Sequence, residues 1–196
     1  MLHDRHVPDL VAQSIQRLRA AGVRLDRGLS DKEVSRLQDK YDFTFGPEHR
    51  AFIQSAVPFG ESWPDWRGDS DAHLRGRLDW PVEGVVFDVH KNGFWPASWG
   101  DRPVAKADRE REARVHLARV PTLVPVYSHR YLASDPKFMP SPVFSVYQTD
   151  VIVYGDDLLD YVAHEFRVPP LHRSESERTH VPFWSDLAQG AESAEL

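Results

Sequence analysis

The stretch PVFSVYQTDVIVYGDDLLDYVAHEF, residues 142–166, predicts two neighbouring β-strands followed by a helix. In its first segment Phe144 and Val146 alternate with less apolar neighbours, which is the period-two pattern of a strand. A second apolar run, residues 151–154, resumes after three polar residues. From Asp156 onward the apolar residues recur at helical spacing, so the pattern predicts a closing helix.

The N-terminal third of the chain carries the start and stop signals of three helices. Residues 9–21 share an apolar face and are followed by a glycine, which is typical of a helix end. In residues 30–41, Ser30 and Glu33 have the spacing of a capping box, in which each side chain accepts a hydrogen bond from the other's backbone. A third helix is predicted to begin at Pro47, because the fixed φ of proline suits a first helical position.

A further strand is predicted for residues 84–89, GVVFDV, which are rich in β-branched and aromatic residues. The dipeptide Asn92-Gly93 that follows is a strong signal for a tight turn. With this assignment Asp88 and His90 would lie on one face of the strand. They would then be either an acid–base pair or a solvated strand edge.

The remaining elements complete the predicted fold. Residues 105–118 have the composition of a charged helix. Residues 123–127 form a short apolar run in which Pro125 confines the strand to a sheet edge or a bulge. Helices, then strands, then a closing helix indicate an α+β fold. We therefore expect a mainly antiparallel sheet with helices packed against one side.

The domain organisation is predicted to be simple. Residues 1–170 are expected to form one domain, with the helix at 9–21 attached to it. Residues 171–196 are polar and rich in Ser and Glu, which predicts a mobile tail. Phe183 and Trp184 are the residues of that tail with enough apolar surface to dock part of it.

Composition excludes several classes of function. The chain of 196 residues has no Cys, so it holds no disulfide, thiolate metal site or Cys nucleophile. Its formal net charge of −6 argues against a nucleic-acid partner. No apolar run reaches the length of a membrane span, and the first residues lack the apolar core of a signal peptide. We expect a cytoplasmic protein with no membrane association, no metal site and no cofactor.

The acidic residues are unevenly distributed. Residues 61–71 hold four acids against one base, and residues 138–166 hold five acids and no Lys or Arg. Such stretches either form a face that steers a basic partner or are solvated surface. Asp156, Asp157 and Asp160 start the closing helix, where acids interact favourably with the helix dipole. This capping explanation is favoured over a divalent-ion site.

No standard catalytic or cofactor motif occurs in the sequence. The residues most suggestive of a site are His129, Arg130 and Tyr131, for which Asp150 is a potential partner. A histidine can act as acid or base and an arginine can hold an anion. The alternative is that these side chains fix a turn, since no nucleophile lies beside them at a recognisable spacing. No catalytic residue is assigned.

A second candidate site lies in an aromatic loop, WPDWR, at residues 63–67. Trp63, Asp65, Trp66 and Arg67 are of the types that anchor protein interfaces. The alternative is that the tryptophans belong to the core, because large aromatic residues dominate packing.

The segment GLSDKEVSRLQDKYDFTFGPEHRAFI, residues 28–53, resembles the opening of the SUKH superfamily. The resemblance covers roughly residues 28–168 and includes the closing strand and helix. It departs from the usual pattern in the longer aromatic insert, residues 63–80, and in residues 128–131. The matching positions in the opening are Ser30, Glu33, Phe43, Phe45, Pro47, Arg50, Phe52, Ile53 and Gly60.

The resemblance implies an α+β protein-binding scaffold without established enzymatic activity. Bacterial members are mostly inferred immunity proteins, and fungal relatives regulate cell-wall synthesis through protein contacts. The leading hypothesis is therefore an immunity-type protein, monomeric or weakly dimeric, that neutralises a cognate toxin by direct binding. The partner would be a protein, with a basic toxin domain as the first candidate. The alternatives are a small-ligand-binding protein or enzyme centred on His129, Arg130, Tyr131 and Asp150, and a structural subunit of an assembly.

Overall fold

A computed structural model gives the structure of residues 6–168, 178–191 and 195–196. The helices in these residues are α1 (His6–Ala20), α2 (Asp31–Tyr41), α3 (Pro47–Ser55), α4 (Asp71–Lys91), α5 (Lys106–Leu117), α6 (Leu158–Glu165) and α7 (Trp184–Ala188). The strands are β1 (Arg24–Arg27), β2 (Ala56–Phe59), β3 (Leu123–Tyr127), β4 (Arg130–Ala133), β5 (Val143–Tyr147) and β6 (Asp150–Gly155). Short 3₁₀ turns lie at Ala97–Trp99 and Pro136–Phe138.

The strands form two antiparallel sheets. Strands β3, β4, β5 and β6 are neighbours in chain order, and β1 pairs with β2 in a separate two-stranded sheet. The predicted α+β class and antiparallel pairing are confirmed. The restriction imposed by Pro125 is also confirmed, because β3 is an edge strand and its register shifts between Pro125 and Tyr127.

Helices cover both faces of the four-stranded sheet, whereas the sequence predicted one covered face. Val124 and Leu132 point into a core shared with α1, α2, α3 and α6. Leu123 and Tyr131 point into a second core shared with α4, α5 and α7. Consecutive residues of β3 and β4 are apolar, and side chains on a strand alternate between faces. Both faces of the sheet therefore carry apolar side chains that pack against helices.

The strand predicted at residues 84–89 is wrong, because these residues belong to α4. Ser70 caps the helix, since its Oγ accepts a hydrogen bond from the backbone of His73, and the helix continues through Pro81. Val85 and Val89 are fully buried, and Val85 packs in the second core with residues of the sheet. Valine has a high β propensity, but burial of one helix face outweighs this local preference.

The residues directly after this predicted strand also have roles other than those expected. His90 pairs with Glu110 of α5, so it is not an acid–base partner of Asp88 on a strand face. Asn92 ends α4, and Gly93 adopts a φ of 76° directly after it. The Asn92-Gly93 dipeptide is therefore a helix C-cap and not a hairpin turn.

Within the tail that was predicted to be mobile, residues 178–191 pack against the sheet, and Phe183 and Trp184 dock this part as expected. Val181 and Trp184 are buried in the second core, and the Trp184 indole Nε1 donates a hydrogen bond to Pro121 O at 2.7 Å. The large rings offset the polar composition that predicted mobility. Residues 171–177 lie outside the described part of the chain.

The N-terminal helix belongs to the first core, where Leu18 is fully buried and α1 packs on α3 and α6. The predicted capping box is confirmed, since Ser30 N donates to a Glu33 carboxylate oxygen and Glu33 N donates to Ser30 Oγ. Among the described residues, no helix has both the length and the apolar character needed to cross a membrane.

A buried carboxylate connects three distant parts of the chain. Glu48, in the first turn of α3, is only 3% exposed. Its two oxygens accept hydrogen bonds from Ser141 N at 3.2 Å and from Leu158 N at 2.8 Å. The first donor precedes β5 and the second is at the N-terminus of α6, where a negative charge is favourable.

We expect Glu48→Ala to lower the free energy of unfolding by about 2–3 kcal/mol, because two buried backbone N–H groups lose their acceptor. Urea denaturation checks this. Glu61→Ala, at an exposed carboxylate, is the control and should change stability by less than about 0.5 kcal/mol. Equal effects of the two substitutions would contradict this role of Glu48.

The next residue, His49, is a buried histidine without a polar partner on Nδ1 among the described residues. Its ring packs edge-on against Phe45 at 5.0 Å and lies beside Trp66. Burial lowers the pKa of His49 from its ordinary value of 6.5 to about 3. The side chain is therefore a neutral core residue at neutral pH.

This pKa makes stability depend on pH in a defined direction. His49 binds its proton only after unfolding. Its contribution to the free energy of unfolding is therefore fully present above pH 6.5 and is lost as pH falls toward 3. The stability difference between the unmodified protein and His49→Leu should change by about 1.4 kcal/mol per pH unit between pH 6 and 4.5. Chemical denaturation at several pH values measures this difference. If the stabilities of the two proteins changed in parallel with pH, the lowered pKa of His49 would be ruled out.

Candidate functional site

A groove of 770 Å³ lies between the N-terminal half of α4 and the end of the four-stranded sheet that holds the β3–β4 turn. One wall is formed by α4, including Gly76 and Trp80. The opposite wall contains the β3–β4 turn, with His129, and the end of β5, with Tyr147. It is the largest of the described cavities that combines aromatic rings with titratable groups.

Two exposed aromatic rings form the rim of the groove. Trp80 is 44% exposed and Tyr147 is 57% exposed, and their ring centroids are 6.1 Å apart. The Trp80 indole Nε1 donates a hydrogen bond to Val146 O at 3.1 Å, which fixes the orientation of its ring. Solvent-facing aromatic rings held in one orientation are a suitable surface for binding apolar groups.

The floor is formed by Tyr131, which is almost completely buried. Its hydroxyl donates a hydrogen bond to Arg77 O at 3.0 Å. Burial raises the pKa of Tyr131 well above its ordinary value of 10, with Arg77 as a smaller opposing influence. Tyr131 is therefore a neutral phenol that ties the sheet to α4.

The cation of the groove is Arg77, whose guanidinium donates to neutral acceptors. Its donors reach Glu61 O at 3.2 Å, Ser62 O at 3.4 Å and His73 Nε2 at 3.2 Å. Within the described residues it forms no ion pair with a carboxylate. The loop at 61–62 is held against α4 by these contacts.

The turn between β3 and β4 places His129 at the groove. Ser128 adopts a φ of 48°, and its Oγ lies 3.1 Å from His129 Nδ1. Burial lowers the pKa of His129, and the charge of Arg130 lowers it further. His129 is therefore a neutral hydrogen-bonding group near neutral pH.

The predicted cluster of His129, Arg130, Tyr131 and Asp150 is not assembled. Arg130 points away from the groove, since side chains alternate along β4. Its guanidinium bonds to Glu165 at 3.1 Å and lies 4.0 Å from the Tyr154 ring centroid. Asp150 is exposed at the start of β6 and does not line the groove. Only His129 and Tyr131 are brought together.

The predicted interface anchors Trp63 and Trp66 are core residues, each 6% exposed. Trp63 stacks on Phe166 with ring centroids 5.8 Å apart, and Trp66 packs edge-on against Phe45 at 5.1 Å. The interface interpretation of these tryptophans is wrong, because the loop folds back over the first core.

Asp65 and Arg67 stabilise the same loop. Asp65 Oδ1 accepts hydrogen bonds from Arg67 N at 3.0 Å and Gly68 N at 2.8 Å. The Arg67 Nε donates to Glu33 at 2.7 Å, and its terminal nitrogens donate to backbone carbonyls of residues 27 and 28. Arg67 is the main cause of the strongly lowered pKa of Glu33. Neither side chain is available as a free anchor.

Several acids of residues 138–166, for which an acidic face and a solvated surface were the alternatives, have partners in the fold. Asp157 caps α6 by accepting from Leu159 N and Asp160 N, which confirms the capping explanation. Asp160 accepts from Asp156 N, and Glu165 pairs with Arg130. Over the described residues no group of three His, Asp or Glu side chains is arranged to hold a metal ion.

Sequence reasoning missed the residues of α4 that line the groove, which are Ala72, His73, Gly76, Arg77 and Trp80. His73, Gly76, Arg77 and Trp80 have the i, i+3, i+4, i+7 spacing of one helix face. This signal was present in the sequence, but the assignment of residues 84–89 to a strand concealed the helix to which these residues belong.

Comparisons with protein-family models, with curated proteins and with solved structures find no significant match to this chain.

Gly76 has no packing reason to be a glycine. A Cβ at this position would meet no atom within 4 Å, and glycine in a helix interior is unfavourable. A Cβ on Gly84, in the same helix, would lie 2.9 Å from the Gln148 Cα. The absent side chain at position 76 therefore keeps the groove open.

We expect Gly76→Ala to raise the free energy of unfolding by about 0.5–1 kcal/mol, as for a Gly-to-Ala change in an exposed helix. Gly84→Ala is the matched control and should be destabilising, because its methyl group meets the backbone of the β5–β6 turn. Denaturant titration of both variants checks the signs. A loss of stability in Gly76→Ala would show that the position is packed.

Proposed function

We propose that this chain is a protein-binding module whose partner docks in the groove beside α4. The observation that carries the proposal is the exposed pair Trp80 and Tyr147 at the rim of a 770 Å³ groove. Binding energy at protein interfaces is concentrated in Trp, Tyr and Arg side chains. The groove offers all three types, since Arg77 adjoins the rings.

The specific form that we propose is an immunity-type protein that neutralises a cognate toxin by direct contact. Support comes from the resemblance of residues 28–53 to the SUKH opening and from the net charge of −6, which favours association with a basic domain. Rigid elements form both walls, so docking requires little ordering of the binding site.

The test is a pull-down from the native host with matched variants of the tagged protein. Tyr147→Ala removes an exposed ring, and Gly76→Leu adds a side chain to the groove at a position where a Cβ meets no atom within 4 Å. Phe87→Ala is the control, since Phe87 is 46% exposed on the same helix and does not line the groove.

We expect a stoichiometric partner to be retained by the unmodified protein and by Phe87→Ala, and to be lost from both groove variants. Co-expression with that partner should relieve its toxicity only when the groove is intact. A partner that binds all four proteins equally would place the interface elsewhere. A partner without toxicity would contradict the immunity function.

A second candidate is a small-ligand site or enzyme, which the Ser128–His129 contact favours. The Ser128 Oγ and His129 Nδ1 are 3.1 Å apart and both residues line the groove. Such a site would depend on His129 and not on Arg130 or Asp150. Ligand binding or turnover abolished by His129→Ala, with partner binding unchanged, would favour this candidate.

A further inference from the structure

The groove beside α4 does not end at Glu61. A second groove, of 610 Å³, runs from this loop toward the β1–β2 sheet. Glu61 and His73 line both cavities. The two grooves therefore adjoin at Glu61 and His73.

The second groove differs from the first in charge. Four carboxylates line it and two guanidiniums accompany them, those of Arg24 and Arg67. Arg67 pairs with Glu33 at 2.7 Å and with Asp26 at 3.7 Å, so two guanidiniums face four carboxylates and the groove keeps an excess of negative charge. The carboxylates are those of Asp26, Glu61, Asp65 and Asp69.

Glu61 is the available acid at the junction. Asp65 accepts backbone hydrogen bonds, and Asp69 pairs with His73 at 3.1 Å. By contrast, no hydrogen bond or ion pair to the Glu61 carboxylate occurs within the described part of the chain. An exposed carboxylate without a partner at the meeting point of two grooves is suited to receive a cation.

The exposed aromatic ring of the second groove already carries a cation. Phe59 is 50% exposed, and the Arg24 guanidinium lies 4.7 Å from its ring centroid. Because Arg24 occupies this ring face, a cation of the occupant is received by a carboxylate and not by Phe59. Aromatic surface in one groove and negative charge in the next require two different side chains on the occupant.

We propose that the occupant is an extended segment of the partner protein that packs an aromatic or large apolar side chain against the exposed rings of Trp80 and Tyr147 and places a Lys or Arg against Glu61. This inference rests on the proposed function, because it assumes that the partner uses the groove beside α4. It adds the chemistry of the segment and the role of Glu61 as its specificity-determining acid.

The experiment is selection of a phage-displayed library of random 12-residue peptides on the immobilised full-length protein. Selected peptides are then synthesised, and their affinities are measured by fluorescence anisotropy. We expect enriched sequences to combine a basic residue with an aromatic or large apolar residue. Tyr147→Ala should abolish binding of these peptides.

Glu61→Gln keeps the size of the side chain and removes its charge. It should weaken the selected peptides by up to about fivefold, the range for an exposed ion pair, and reduce their dependence on salt. Glu112→Gln, at a half-exposed acid of α5 outside both grooves, is the matched control and should leave affinity unchanged.

The outcomes separate the two proposals. Peptides that depend on Tyr147 but lack a basic residue, or are unaffected by Glu61→Gln, overturn this inference and leave the proposed function in place. Enriched acidic peptides overturn it in the same way. If no peptide depends on Tyr147, both the inference and the docking site beside α4 are wrong.

Discussion

The buried carboxylate of Glu48 is the constraint on which the arrangement of the two cores depends. Its oxygens accept the backbone N–H groups of Ser141 and Leu158, so one side chain of α3 positions the entry to β5 and the start of α6. A charge that is only 3% exposed is tolerated because donors surround it. These hydrogen bonds join the N-terminal helices to the sheet, whose other face is then free to receive α4, α5 and α7.

The position of α4 follows from a second buried carboxylate. Asp88 accepts from Thr149 N at 2.9 Å and from the Thr149 hydroxyl, which fastens the β5–β6 turn to the helix. Gly84 permits this contact, since a Cβ there would collide with the backbone of Gln148. Tyr147 directly precedes that turn and Trp80 lies one helical turn before Gly84. The hydrogen bonds between Asp88 and Thr149, which hold α4 against the sheet, therefore also bring the two exposed rings of the groove together.

The parts of the fold that sequence predicts well are those determined by neighbours in the chain. The capping box of Ser30 and Glu33 and the edge position of Pro125 depend on residues a few positions apart, and both are found as predicted. The assignment of α4 failed because its valines suit a strand locally and become helical only through burial against a distant sheet. The candidate site failed for a related reason. Whether Arg130 and Trp66 face solvent or the interior depends on Glu165 and Phe45, which lie far from them in sequence.

The polar atoms of two aromatic side chains of the groove are already hydrogen-bonded within the protein. The Trp80 indole N–H is already bonded to Val146 O, so a partner gains contact with its ring face but no hydrogen bond from it. Tyr131 likewise donates its hydroxyl to Arg77 O. From the Trp80 ring a partner therefore gains apolar contact, which discriminates weakly between partners. Discrimination falls to the charged and polar groups around the rings, namely Arg77, His129 and the unpartnered carboxylate of Glu61, because a buried mismatch at such groups is costly.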